Sequence, residues 1–544
     1  MNDNTIYIGL CMAGAVSAGA YTAGVMDFLI EALDDWQRRK DAGDIGVPTH
    51  DVMIPVMGGA SAGGMTTVIT ASAINNPIQP VKELEGDIFE SQPENKFYNS
   101  WVDLTDDDMF PLMLDNDDIG DEGVPSLLNS SFIDKIADRV VQIDEDNLIS
   151  RPYFSKNLKV FLTLSNLEGY SYNLAFVSGS KNDSYIMKKH RDYACFLFNC
   201  DENADDPENR GWIPISFEEG DNLEMLKAAT MATGAFPVGL KSRRINRAKM
   251  DVLENRWITP SNMKPAWRTD GDEYEASFVD GGMINNEPFE KVGEVLDKIT
   301  GNDEDSMSSF NRTMIMIDPF PSEETLFKRK EDVISIAMQT FSAMQNQVRM
   351  KPDEVVRAFD PTDASRFLIG PKRYFPNLDS QNEFEQGGNA LACGTFRAFG
   401  GFFHKEFRIH DFFLGRANCE RFLRYHFTVP ADENNPVLDK GYEGLKDDFM
   451  TDDKRLPIIP LFSSEGEKPY MPTFQSGRDW PVRKEEDIDR FKKPLKKRVK
   501  AVRKSIFDDS FLINTGMGLF GDRKTADKIL DSIKTDLKEH RSLL

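Results

Sequence analysis

Residues 52–64 read Val52-Met53-Ile54-Pro55-Val56-Met57-Gly58-Gly59-Ala60-Ser61-Ala62-Gly63-Gly64, six apolar residues followed by small ones around a single serine. Val52–Met57 has the length of a buried strand, and the chain from Met65 to Ile74 continues as an apolar helix. Between them, Gly59-x-Ser61-x-Gly63 has the spacing of a nucleophile elbow. Small flanks let the chain turn sharply from strand to helix, lifting the serine oxygen toward a helix N-terminus rich in unpaired N–H groups. Alone, the pentapeptide reads equally as a tight packing turn. Its place after a strand and before a helix gives the elbow its weight.

The same order occurs upstream. Thr5–Met12 (TIYIGLCM) reads as a buried strand, Gly14-Ala15-Val16-Ser17-Ala18-Gly19 as a small-residue loop, and Ala20–Trp36 as a helix with Tyr21, Val25, Phe28, Leu29 and Leu33 on one stripe. Strand, turn and helix twice within 75 residues predict an α/β fold with a mainly parallel sheet. The Gly14–Gly19 loop offers backbone N–H groups to an anion. GxGxxG and GK[ST] are both absent, so a nucleotide cradle is disfavoured; an oxyanion hole and close helix–sheet packing stay open.

Further strands are predicted at Leu158–Leu164 and Thr313–Ile317, the latter the last of the sheet, with Tyr172–Val177 returning beside the former. Leu223–Thr233 reads as a helix ending near Gly234. Phe278-Val279 leads into Asp280-Gly281-Gly282, where a carboxylate before two glycines projects freely at a strand end. An Asp-Gly turn explains Asp280 as well on its own. A serine nucleophile needs a base. None of the six histidines stands where a triad member is expected; His50 precedes the nucleophile strand at its far end. A carboxylate acting directly on Ser61 is the economical reading.

Five blocks in order resemble the patatin-like phospholipase family: Gly14–Tyr21 (GAVSAGAY), Gly59–Gly63, Leu162–Gly169 (LTLSNLEG), Ala228–Pro237 (AATMATGAFP), and Asp280-Gly281-Gly282 with Asn285-Asn286-Glu287-Pro288. The resemblance implies a three-layer α/β core and a lipid acyl hydrolase of phospholipase A or lysophospholipase type, with an acyl-serine intermediate and neither metal nor cofactor. It casts Ser61 as nucleophile, Asp280 as base, and the backbone of Gly14, Ala15, Val16, Ser17, Ala18 and Gly19 as oxyanion hole. An acyltransferase or thioesterase on the same fold, or a lipid-binding protein with a weakened site, is the alternative. The family loop usually reads GGGxRG or GGGxKG. Here Ala15 and Val16 replace glycines and Ala18 stands at the basic position. Backbone donors survive such changes, although losing one aligned donor costs about 10²–10³ in rate.

The resemblance divides the chain into an acyl hydrolase domain at 5–322 and a helix-rich region at 323–544. In the second part Asp332–Met350 and Phe412–Phe427 read as helices, and Phe403–Leu423 is loosely similar to an accessory helical part of some bacterial relatives. Its phenylalanines read as core packing before an acyl-chain lining. Lys492–Lys504 holds eight Lys and Arg and no acid, with Leu495, Val499, Val502 and Ile506 on one stripe. Such a helix lies on an anionic lipid surface or packs on its own acidic body, and peripheral membrane contact through 492–506 stays open. Residues 522–541 read as a final polar helix.

The bulk numbers set the limits. A formal net charge of −25 argues against a nucleic-acid binder, which needs a basic face. The acidic 101–122 stretch reads as a solvated loop, because Ile119 and Ser126 occupy EF-hand ligand positions. Five cysteines, odd in number and without CxxC, fit reduced thiols and a cytoplasmic location. The apolar Ile6–Leu33 lacks a positively charged n-region and is broken by glycines, so it reads as strand, loop and helix rather than a signal peptide.

Overall fold

The computed structural model describes residues 4–104, 107–121, 123–175, 184–198, 207–217, 220, 222–260, 263–267, 270–284, 288–301, 305–321, 336, 343, 363–374, 384–463, 469–506 and 521–544. Strands β1 (Thr5–Met12) and β2 (Asp51–Gly59) pair in parallel, and helices α1 (Gly19–Ala42) and α2 (Ala62–Ala73) follow them. Then come β3 (Phe154–Ala175), β4 (Ser184–Phe198), the short β5 (Ile213–Pro214), β6 (Arg243–Ala248), β7 (Glu273–Asp280), β8 (Arg312–Ile317) and β9 (Arg366–Ile369). The main order is β5-β4-β3-β2-β1-β8-β9, with β7 on β3 and β6 on β7. β1, β2, β8 and β9 pair in parallel, as do β2 and β3; β3–β4, β3–β7 and β6–β7 are antiparallel.

Side-chain alternation along the strands builds two cores. Leu158, Val160, Leu162 and Leu164 face one side, which α1, α2, α3 (Ser131–Val140) and α4 (Leu223–Thr233) cover. Phe161 faces the other, where Val292 and Leu296 of α5 (Phe289–Thr300) pack with Cys11 and Val56. This is the predicted three-layer α/β arrangement, and the C-terminal part is helix-rich as expected.

A further helix, α6 (Lys405–Tyr425), lies across α1. Their backbones touch at glycines: a Cβ on Gly24 would collide with the Phe412 carbonyl, and one on Gly415 with the Tyr21 carbonyl. Buried Asp27 is held by Arg416 and by Asn95 Nδ2. α1 is thus covered on both sides, which explains its apolar composition. Its stretch Val16–Ala42 is long and apolar enough to cross a membrane, yet 83% of its most apolar window is buried in the protein.

Three expectations change. Tyr172–Ala175 does not turn back: β3 runs through to Ala175 past a register shift between Ser165 and Tyr170, and β4 is the returning strand; Phe176 and Val177 lie outside the described residues. Asn166 Oδ1 accepts from Gly169 N at 2.9 Å, so the Asn-Leu-Glu-Gly sequence makes a bulge within the strand. Thr313–Ile317 is not the last strand, since β9 pairs beside it from a four-residue segment too short to announce itself. The acidic stretch is not wholly solvated: Arg498 of α7 (Lys492–Ile506) pairs with Asp118 at 2.5 Å, and both side chains are buried. The final helix, α8 (Gly521–Glu539), packs along α7. Of the helix expected at Asp332–Met350 only Ile336 and Ala343, both helical, are described, and the Asn285–Glu287 triplet lies outside the described residues.

Gly24→Leu is expected to lower unfolding stability by about 2–4 kcal/mol, because the crossing cannot widen without unpacking both helices. Gly120→Ala, at a position with open space around it, is expected to stay within about 0.5 kcal/mol. Urea midpoints of the two variants check the contrast.

Candidate active site

Ser61 stands between the last residue of β2 and the first turn of α2 with φ 51° and ψ −129°, a conformation L-residues rarely adopt. The elbow closes because its neighbours lack side chains. A Cβ on Gly63 would meet the Met12 and Ala13 carbonyls, and one on Gly59 would meet the backbone of Gly63. Ser61 N–H donates to Thr233 Oγ1 at 3.0 Å, and the Thr233 hydroxyl donates to the Thr163 carbonyl at 2.9 Å. Thr233 therefore ties the strained serine to β3. The sequence placed it in a family block without giving it a role.

Asp280 ends β7, and its location follows from register. β2 pairs with β3 up to Gly59 opposite Leu162; β7 approaches from the other direction and finishes with Asp280 opposite Leu164. Two residues along a strand span roughly 7 Å, so the ends of β2 and β7 meet on the same edge of β3. Backbone bonds hold the aspartate: its N–H donates to Ala235 O at 2.9 Å and its carbonyl accepts from Ser165 Oγ at 2.9 Å. A Cβ on Gly281 would strike the Thr163 carbonyl, so the residue after the aspartate must be glycine. The carboxylate accepts from Gly282 N–H at 2.7 Å and is hydrogen-bonded by the Ser61 side chain. Burial pushes its pKa from an ordinary 3.8 up to about 7, against the opposing pull of the Ser61 and Gly282 hydrogen bonds.

The loop after β1 forms a 3-10 turn, Val16–Ala18, with Val16 at φ 48°. Of the six residues expected to offer amides, Ala18 and Gly19 spend theirs in this turn: Ala18 N donates to Ala15 O, and Gly19 N to the Val16 and Ser17 carbonyls. The N–H groups of Gly14, Ala15, Val16 and Ser17 meet no acceptor among the described residues. Ser17 fixes the loop from outside: its hydroxyl donates to Ala398 O at 2.5 Å and accepts from Gly401 N at 3.0 Å.

Beside Ser61 lies a narrow, almost wholly apolar cavity of about 60 Å³, lined by Met65, Trp101, Phe132, Phe236, Phe399 and Phe402 among others. Sequence reasoning missed Trp101 and Phe399 as lining residues, because only the fold brings them to Ser61. Further along, Phe403, Phe407, Phe412 and Phe413 are core residues. No histidine lines this cavity. His50 is fully buried with Nε2 2.9 Å from Ile458 O, and burial lowers its pKa to about 4. Among the described residues no cluster of three or more His, Cys, Asp or Glu is placed to hold a metal ion.

The arrangement is a buried serine–carboxylate pair near free amides and an apolar cavity, a geometry suited to acyl transfer. The chain matches the model of a family described as patatin-like phospholipase over residues 10–292. It is similar to uncharacterized protein y4iI of Sinorhizobium fredii (strain NBRC 101917 / NGR234), 33% identical over 520 residues, covering 84% of this chain and 71% of that protein. Among solved structures it is similar to VipD from Legionella pneumophila at 10% identity, over 99% of this chain and 91% of that one, with a TM-score of 0.20, too low to carry an argument.

The raised Asp280 pKa links stability to pH. Below about pH 4 the carboxyl is protonated whether the chain is folded or not, and the native state bears no ionisation cost. Between about 4 and 7 the unfolded chain releases a proton that the folded one keeps, so stability falls as pH rises; above about 7 the loss is complete, on the order of 4 kcal/mol. Asp280→Asn is isosteric and stays neutral. Its melting temperature relative to the native chain is therefore expected to climb from pH 4 to 7 and then level off, as calorimetry at several pH values would show.

Proposed function

Because this chain belongs to the patatin-like phospholipase family, we propose that it is a lipid acyl hydrolase, of phospholipase A or lysophospholipase type, working through a Ser61–Asp280 dyad. The hydrogen bond between the Ser61 side chain and the buried Asp280 carboxylate carries the proposal. As Ser61 Oγ attacks the ester carbonyl, its proton passes to Asp280. The negative charge developing on the carbonyl oxygen meets the free amides of Gly14, Ala15, Val16 and Ser17, and the helix end at Ala62 adds its dipole. Asp280 then returns the proton to the departing alcohol. A water molecule, deprotonated by the same carboxylate, attacks the acyl-serine; Asp280 passes that proton to the departing Ser61 Oγ, and the fatty acid is released. The reaction needs no cofactor. Ala18 at the family's basic position is fully buried, where a charged side chain would need a buried partner.

A pKa of about 7 suits a general base working near neutral pH. Hydrolysis of a short-chain p-nitrophenyl ester is expected to rise with pH through about 7 in kcat/KM and then plateau. A fluorophosphonate probe is expected to label the native chain and not Ser61→Ala. Labelling of both, or of neither, would remove Ser61 as nucleophile.

The proposal includes peripheral contact with an anionic lipid surface through α7, in the reducing cytoplasmic setting that five cysteines without a CxxC pair suggest. The helix has two distinct faces. Arg498 and Arg503 turn to Asp118 and Asp522, while Lys493, Lys496, Lys497, Lys500 and Lys504 stay exposed along one side. Arg498 also donates to Leu127 O, and Leu127 N–H donates to Val238 O. Leu127 and Val238 are exposed at 43% and 72%, and Val238 sits between the cavity residues Phe236 and Leu240. Arg498 thus anchors α7 beside these exposed apolar residues, while the lysines face solvent from the other side of the helix. In vesicle sedimentation the native chain is expected to bind phosphatidylglycerol over phosphatidylcholine. Reversing Lys496, Lys497 and Lys500 to Glu is expected to weaken that binding at least tenfold; equal binding to both vesicle types would sink this contact.

A further inference from the structure

The face of the sheet away from Ser61 carries a cleft that the dyad chemistry does not use. It encloses about 790 Å³, within the range of small-molecule sites. Alternate residues of β4, among them Lys189 and Arg191, form one wall, and Lys291 and Lys298 of α5 form another. Arg210 and Arg256 come from the segments between. Seven Lys and Arg line it against two Glu, in a chain whose net charge is −25.

Among the described residues this excess of positive charge is only partly offset. Glu294 is already engaged by Lys291 and by the Trp257 indole N–H at 2.8 Å. Arg191, Arg210 and Arg256 are exposed, and none has a carboxylate partner among the described residues. Among the described residues the Arg191 side chain reaches the Ile284 carbonyl, at 3.5 Å. Lys189 Nζ is turned onto the Trp257 and Ile258 carbonyls, and its pKa is lowered by burial and then by Arg191. Cations held this close repel one another, and a multiply charged anion would relieve that repulsion. Guanidinium forks match the paired oxygens of a phosphate, and the lysines add point charges. Trp212 and Trp257, ring centroids 5.7 Å apart, supply an aromatic wall.

We infer that this cleft binds a soluble compound carrying two or more phosphate groups, with Arg191, Arg210 and Arg256 on the phosphate oxygens. The site is separate from the dyad and does not depend on the hydrolase reading, so binding is measured on the full chain and on Ser61→Ala alike. Titration with inorganic triphosphate and with ATP, at constant ionic strength, is followed by calorimetry and by tryptophan fluorescence. Saturable one-site binding is expected for both probes, weakened at least tenfold in Arg210→Glu/Arg256→Glu and in Arg210→Gln/Arg256→Gln with circular dichroism unchanged. Citrate, of similar charge, is expected to bind at least tenfold more weakly than triphosphate. Tighter binding of ATP than of triphosphate adds the aromatic wall to the site, and equal binding assigns recognition to the phosphates alone. Absence of saturation with both phosphate probes, indifference to both double variants, or citrate binding as tightly as triphosphate overturns the inference.

Discussion

The register of a single strand fixes where Ser61 and Asp280 meet. β2 leaves β3 opposite Leu162, and β7 stops opposite Leu164, coming from the other direction. Slipping either pairing by one residue would turn the incoming strand's side chains to the opposite face. The hydrophobic alternation of β3 guards against this, since Leu162 and Leu164 belong to one core and Phe161 to the other. The meeting of two residues about 220 positions apart is thus secured by ordinary burial of leucine and phenylalanine. Thr233, Gly63 and Gly281 then supply close backbone approach where the strands end.

The second half of the chain takes part in this geometry. α6 crosses α1 at two glycines, and the Thr395–Phe403 segment grips Ser17 from above. The amides proposed to receive the oxyanion are therefore held from two directions: by β1 below, and by a carbonyl and an amide almost 400 residues away above. The loop carries alanine and valine where the family pattern has glycine. Val16 nevertheless adopts φ 48°, a strained conformation that the Ser17 clamp and the 3-10 turn help to hold.

What could be read from the sequence followed how local each signal was. The elbow, the Gly14–Gly19 loop and Asp280-Gly281-Gly282 each occupy a few consecutive residues, so they announced their conformations. Leu223–Thr233, which reads as a helix in the sequence, is helical over those same residues. β3 was cut short because its bulge residues, Asn166 to Gly169, have the composition of a turn. β9 went unseen because four residues carry too little alternation to distinguish a strand. Thr233 and Trp101 became visible only in three dimensions, since neither bonds nor packs with anything nearby in sequence that would mark it. The pairing of Asp118 with Arg498 lies beyond local reading for the same reason: 380 residues separate them.

The narrowness of the apolar cavity bears on how fast such a site could turn over. A volume of about 60 Å³ leaves room for a few ordered water molecules and less than an extended fatty acyl tail needs. Entry of a tail requires the rings of Trp101, Phe236, Phe399 and Phe402 to part, and release of the freed acid requires it again. Those rings are borne by the segment that clamps Ser17, by the turn after α4 and, for Trp101, by the helical turn Asn99–Asp103. The tempo of catalysis would then follow the breathing of an aromatic gate, with the bond-breaking steps waiting upon it.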